Sequence, residues 1–260
     1  LSLGTRKNVH QPEAMRRAVV PAMAILIAGF IAYMYVAPWM PGVFYSKPPA
    51  FADLVEMHYL ITDSGIYGAI TGVTATFVAL FVIFGAIMET TNTGRFFTDL
   101  AARVAGRSQG GPAKIAVISS GLFGSISGVA AANVYSTGTF TIPLMKRLGY
   151  RSSFAGAVEA SASVGGMMMP PVMGAGAFVM SEITGIPYVK IIIAATLGSI
   201  LYYISLIYRV HFTALRDELK GMEEEDLKPL SAILKDSYLL IPMVALVVML
   251  LIGYSPFRAA

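Results

Sequence analysis

Between Gly111 and Gly176 the chain concentrates oxygen donors and helix-breaking residues in an apolar setting. Hydroxyls come from Ser119, Ser120, Ser125, Ser127, Ser136 and Thr137, and an amide from Asn133; Pro143, Gly165-Gly166 and Pro170-Pro171 interrupt the run. A plain spanning helix gains nothing from this mixture, because each freed backbone group in hydrocarbon costs several kcal/mol. Broken backbone at membrane depth is tolerated where it is buried in protein or lines a polar cavity. Hydroxyls and unwound carbonyls suit a hard monovalent cation, and half-helix N-termini suit an anionic group. Two interrupted segments in tandem point to the binding site of a secondary transporter. The candidate substrate- and ion-binding residues are Ser125, Ser127, Gly128, Asn133, Thr137, Gly165, Gly166 and Pro170. The plainer alternative is close packing by small residues, which fits Ser and Gly but not Asn133.

Two further features invite chemistry. Glu159 is the one carboxylate inside an expected span, and an intramembrane acid is a functional hypothesis by default. It follows Arg151 by eight positions, so a structural salt link to that arginine is an equal expectation. Met167-Met168-Met169 reads as adaptable packing. Several chemistries are set aside. Gly124-Ser125-Ile126-Ser127-Gly128 places Ile where a nucleophile elbow needs Ser. His10, His58 and His211 fall in expected loops, and no GxxxxGK[ST] loop is present to cradle a nucleotide phosphate. With no cysteine, disulfides and thiolate sites are excluded.

The elements that must position these residues are membrane helices. Hydrophobic residues make up 56% and charged residues 13% of the chain, against about a quarter charged in soluble domains. The mean hydropathy is +0.68. The net charge of +4 therefore reads as basic loops beside anionic lipid and not as a nucleic-acid surface. The expected fold is all-α and integral to the membrane, with about five transmembrane helices and one re-entrant helical hairpin.

Taken in order, residues 1–65 form a basic N-terminal segment, a first span at 18–37 ending in Tyr33, Tyr35 and Trp39, and a Pro-rich external loop. Residues 66–237 carry in turn a span at 66–88, with Gly68 and Gly72 as a helix-packing pair, a hairpin at 115–142, a broken helix at 152–181, a span at 189–208 and a connector. Residues 238–260 begin a further span. Basic residues precede the first span, nearly vanish after it, and return at Arg95, Arg103, Arg107 and Lys114. This places the N-terminus in the cytoplasm. Lys146, Arg147 and Arg151 follow the 115–145 segment, so an even number of crossings is needed there, and the segment is too short for two spans of about 20 residues. One arm near 115–127, a turn among Gly128 to Gly138 and a return ending near Pro143 satisfy that parity. Tyr202, Tyr203 and Tyr208 are expected near the cytoplasmic end of the last complete span.

At these residues the chain resembles a known family. The runs ANVYSTGTFTIPLMKRLGY, FAGAVEASASVGGMMMPPVMGAGAFVMSEITGIPY and LYYISLIYRVHFTAL are similar to the large membrane subunit of tripartite ATP-independent periplasmic (TRAP) transporters, in the manner of the TAXI-type fused permease. The likeness runs from about Ser46 to Leu230. It implies an elevator-type transporter of the bacterial cytoplasmic (inner) membrane, with two inverted repeats of which this chain holds the first. Leu1 and Ala260 both look like cuts. It also implies import of a small organic solute, commonly a carboxylate, delivered by a periplasmic solute-binding protein and driven by Na⁺. Ser125, Ser127, Asn133 and Gly165 are then the expected Na⁺ ligands. The family pattern has a polar or small residue where Val129 stands, Thr where Val164 stands and Gln where Met167 stands. These departures either remove the usual Na⁺ coordination or leave it to backbone carbonyls. An intramembrane enzyme and a structural membrane subunit are the alternatives.

Overall fold

The computed structural model describes residues 29–30, 32–47, 50, 52–53, 56 and 67–259. Helix dominates the described residues, and no strand occurs among them. The chain divides into two compact units, Leu1–Gly68 and Ala69–Ala260. In the first unit, Pro38 and Pro41 break the helix and leave short 3-10 turns at Ala37–Trp39 and Gly42–Phe44. The Tyr33 hydroxyl donates to the Phe44 carbonyl at 3.0 Å. Most of the expected span at 18–37 lies outside the described residues.

The second unit opens with α1, Ala69–Thr90, which carries a wide π turn at Thr74–Val78. There the Thr74 and Thr76 hydroxyls donate back to the Ile70 and Gly72 carbonyls, both at 2.7 Å. Such back-bonding competes with the helix ladder and bends it. Among the described residues, a Cβ on Gly72 would meet nothing within 4 Å. After α2 (Thr93–Ala105) come α3 (Gly111–Ser127) and α4 (Ala130–Arg147), a helical hairpin whose turn is only Gly128-Val129. The expected turn at Gly128 to Gly138 is therefore corrected to its first two residues. Pro143 does not end the return arm either, because α4 continues through it to Arg147.

The broken helix consists of α5 (Ser152–Gly166), an unwound stretch at 167–174, and α6 (Ala175–Thr184). Gly165-Gly166 end α5, and the break follows them. Next, α7 runs from Tyr188 to Arg216, so it takes in the start of the expected connector and makes Tyr202 and Tyr203 mid-helix residues. The chain ends with α8 (Leu230–Lys235), a 3-10 turn at Asp236–Leu240, α9 (Ile241–Ile252) and α10 (Pro256–Ala259).

Three described stretches are long and apolar enough to cross a membrane: Ala69–Thr90, Tyr188–Arg216 and Glu224–Ile252. In each, only 17% of the apolar window is buried by protein, so most of that surface requires an apolar environment from outside. The hairpin is the reverse case. Nearly every α3 residue is buried, against α2, α4 and α5. Glycine permits this crowding: a Cβ on Gly124 would lie 2.6 Å from the Gly166 Cα, and one on Gly121 would lie 2.9 Å from the Tyr203 ring.

Candidate functional site

The hairpin tip is seated on the helix break. Gly128 adopts φ +60°, and a Cβ there would lie 2.1 Å from the Met173 carbonyl oxygen, so only glycine fits the turn. The Val172 amide donates to the Ser125 carbonyl at 3.0 Å, and the Gly174 amide donates to the Met167 carbonyl at 2.7 Å. Around this junction lies a cavity of about 200 Å³, lined by Val78, Phe81, Ser127, Val129, Met173 and Phe178 among others. Val78 closes the π turn of α1, so three irregular segments converge at this cavity. The Ser127 hydroxyl is buried here and has no hydrogen-bond partner among the described residues. The carbonyls of Ile126, Ser127 and Gly128, at the end of α3, accept no backbone hydrogen bond among the described residues. The Ser127 hydroxyl thus lies beside the carbonyl end of a helix in an otherwise apolar cavity, without a hydrogen-bond partner among the described residues. Buried groups of this kind cost about 1–3 kcal/mol each unless a partner satisfies them.

The long helix α7 satisfies the far side of the break. Tyr188 donates to the Val172 carbonyl, and the Ser199 hydroxyl donates to the Met168 carbonyl at 2.5 Å. Tyr202 and Tyr203 donate to the Ser161 and Ala162 carbonyls, at 2.9 and 2.7 Å, in the last turns of α5. The ring of Tyr202 packs directly on Gly165, where a Cβ would lie 2.4 Å from it. Stacked rings of Phe81, Phe178 and Tyr188, with centroids 4.9 and 4.6 Å apart, fasten α1 and α6 to the start of α7.

Below the tip, Glu159 is completely buried at the junction of α3, α4 and α5. Its Oε1 accepts from Ser120 at 2.6 Å and from Thr137 at 2.5 Å, and its Oε2 accepts from Thr141 at 2.5 Å. Ser163 stands 3.4 Å from Oε1. The expected salt link to Arg151 does not form, for a reason of helix geometry. Eight residues advance about 12 Å along a helix, beyond the reach of the pair. A hydroxyl cage from both hairpin arms takes the place of the arginine.

The eight residues singled out from sequence therefore separate into groups. Ser127 and Gly128 form the tip. Ser125 supports it through its carbonyl, while its hydroxyl is turned back to the Leu122 carbonyl at 2.7 Å. Asn133 is fully buried below the turn and donates to the Ser120 carbonyl at 2.7 Å, clamping one arm to the other. Thr137 belongs to the Glu159 cage. Gly165 and Gly166 are contact points for Tyr202 and Gly124, and Pro170 lies in the unwound stretch. Sequence reasoning did not find Thr141, Ser163, Tyr188 or Ser199. The spacing of Thr137 with Thr141, and of Glu159 with Ser163, was the available signal, since i and i+4 share a helix face.

An apolar all-helical body, a helical hairpin and a helix interrupted beside its tip define the class: a polytopic membrane protein whose irregular backbone is buried at one site. The family model described as "Tripartite ATP-independent periplasmic transporter, DctM component" matches residues 11–260, and the chain belongs to this family of transporter permeases. It is 30% identical over 136 residues to the uncharacterized protein y4mL of Sinorhizobium fredii, covering 52% of this chain and 32% of that protein. It is 27% identical over 151 residues to the C4-dicarboxylate TRAP transporter large permease protein DctM of Pseudomonas aeruginosa, covering 58% of this chain and 35% of that protein. A third relative is the isethionate TRAP transporter permease protein DctMQ of Oleidesulfovibrio alaskensis, 33% identical over 94 residues, or 36% of this chain and 15% of that protein. The chain thus spans about a third or less of these relatives. The family is one of transporters and not of enzymes, which sets aside the intramembrane-enzyme alternative.

Proposed function

We propose that this chain forms the first of two inverted repeats of a large permease subunit in the bacterial cytoplasmic membrane. The subunit imports a small organic anion, probed first as a carboxylate, that a periplasmic solute-binding protein delivers, and an inward Na⁺ gradient drives it. The α3–α4 hairpin is re-entrant, entering from the cytoplasm and returning to it, and the N-terminus is cytoplasmic. Family membership supports the transport reading, and the names of two relatives specify C4-dicarboxylate and isethionate, both organic anions.

The observation that carries the coupling ion is the Ser127 hydroxyl, buried and without a hydrogen-bond partner among the described residues, beside the carbonyls that end α3. A Na⁺ ion at the tip would satisfy these oxygens together, with the Ser125 carbonyl side of the turn and the break around Gly165, Gly166 and Pro170 holding its surroundings in place. Asn133 and Thr137 act one layer below, by fixing the two arms in register. The test is uptake by the complete protein with its binding protein in proteoliposomes. Replacing external Na⁺ with K⁺ should abolish uptake, and Ser127→Ala should raise the Na⁺ concentration for half-maximal uptake about tenfold, the scale of one hydrogen bond to a charged group. Uptake that continues at full rate without Na⁺ would remove the ion from the account.

A further inference from the structure

We propose that a second site, away from the hairpin tip, binds a phosphate group in the cavity between the start of α5 and the end of α7. The cavity measures about 560 Å³, and its lining includes Arg151, Arg209, Arg216, Ser153 and Thr213. Asp217 is the one acid in that lining. Three guanidinium groups against one carboxylate leave a net charge of +2. The single acid is also committed: Arg216 Nε donates to Asp217 Oδ1 at 2.9 Å, and this bond holds the Asp217 carboxyl below its usual range. Arg151 and Arg209 have no acidic partner within 4.0 Å among the described residues.

The start of α5 adds donors of the same sense. Its N-cap position is held by Arg151, with no side-chain cap, where Ser, Thr, Asp or Asn ordinarily accepts from the first-turn amides. Arg151, Ser153 and Phe154 at this helix start all line the cavity, and a helix start carries the positive end of its dipole. The Thr213 hydroxyl is spent on the Arg209 carbonyl at 2.9 Å, whereas the Ser153 hydroxyl has no partner among the described residues. Tyr150 and Phe154, stacked with centroids 6.0 Å apart, make a rigid apolar wall.

The ligand class follows from this donor set. Forked guanidiniums bind phosphate oxygens two at a time, helix-start amides suit the same anion, and the volume leaves room for a substituent on the phosphate. Two sources carry that chemistry. The charge distribution assigns this end of the molecule to the cytoplasm, where anionic phospholipid headgroups gather at the membrane surface; a soluble phosphate from the cytosol is the other. The choice between these sources rests on the orientation proposed above, whereas the anion site itself does not depend on the transport reading.

The test uses the complete protein purified in neutral detergent. The thermal unfolding midpoint is followed against phosphatidylglycerol, against inorganic phosphate, and against chloride at matched ionic strength. Phosphatidylglycerol or phosphate should raise the midpoint well beyond chloride. The pair Arg151→Gln and Arg209→Gln together should require about tenfold more ligand or greater for the same shift, the scale of lost charge-assisted hydrogen bonds. The charge-matched pair Lys146→Gln and Arg147→Gln, outside the lining, should behave as wild type. Stabilisation by phosphatidylglycerol alone identifies a lipid headgroup, and stabilisation by inorganic phosphate identifies a soluble ligand. If the glutamine pair does not fold, Arg151→Lys with Arg209→Lys keeps the charge but loses the forks, and should still weaken binding. No stabilisation beyond chloride, or equal stabilisation of wild type and cavity variants, overturns the site.

Discussion

Replacing Gly124 with alanine tests whether the hairpin and the broken helix are fitted backbone to backbone. The new Cβ would lie 2.6 Å from the Gly166 Cα and 2.7 Å from Asn133 Nδ2. Ordinary contact begins at 3.4 Å, so relief requires the two helices to separate by about 0.8 Å, or one of them to bend. Neither obstacle is the far end of a flexible chain. Gly166 is helix backbone, and the Asn133 amide is tied to the Ser120 carbonyl at 2.7 Å. Overpacking of this kind costs about 1–3 kcal/mol. For a domain of this size the cost corresponds to a fall of roughly 2–12 °C in Tm. The control is Gly156→Ala on α5, the half-helix that carries Gly166, where a Cβ meets nothing within 4 Å among the described residues and helix propensity favours alanine by about 1 kcal/mol. Thermal unfolding of the complete protein in detergent, read by loss of the monodisperse peak, separates the two. A Gly124→Ala protein as stable as Gly156→Ala, with undiminished uptake, would refute the close-packed junction.

Two further predictions concern the groups that hold this junction. Glu159→Ala removes the common acceptor of Ser120, Thr137 and Thr141 and should cost about 3 kcal/mol or more, whereas Glu159→Gln keeps the shape and should cost less. A double-mutant cycle checks the mechanism, because Thr141→Val should cost less in the Glu159→Ala background than alone. Tyr188→Phe leaves the Val172 carbonyl without its side-chain donor, at a cost of about 1–3 kcal/mol. Hydrogen exchange at 167–174 should then quicken while exchange in α3 stays slow; unchanged exchange in the break would contradict the support assigned to α7.

The sequence disclosed the kind of fold well because its strongest signals are physical ones. Apolar runs without charge, separated by basic clusters, leave few arrangements. Local detail was harder. Asn133, Ser136 and Gly138 looked like loop residues, and a longer turn was expected from them. Inside a buried hairpin, however, Asn133 clamps the arms, a Cβ on Gly138 would lie 3.0 Å from Glu159, and Ser136 packs against Gly94. Polar and small residues there are the requirements of helix packing, and periodicity alone does not separate them from a turn. Pro143 was taken as a stop, yet α4 continues through it. For Glu159, one of the two expectations was a salt link to nearby Arg151, and its partners come instead from residues 18 to 39 positions away in sequence. Gly128 was legible as the start of the turn, and the turn proves to be only Gly128-Val129. The contributions of Tyr188 and Ser199 were not, since nothing local in α7 announces which carbonyls it will meet.

The central claim is that the α3–α4 hairpin starts and ends on one side of the membrane, with its tip inside. This chain has no cysteine, so single cysteines report directly. Gln109→Cys and Arg147→Cys flank the hairpin on exposed positions, and Ile186→Cys marks the opposite side, between α6 and α7. In sealed spheroplasts producing the complete protein, a membrane-impermeant thiol reagent should label position 186 and leave 109 and 147 untouched until the membrane is opened. Labelling of position 147 in sealed spheroplasts, with 109 still protected, would show a single crossing and contradict the placement of the site.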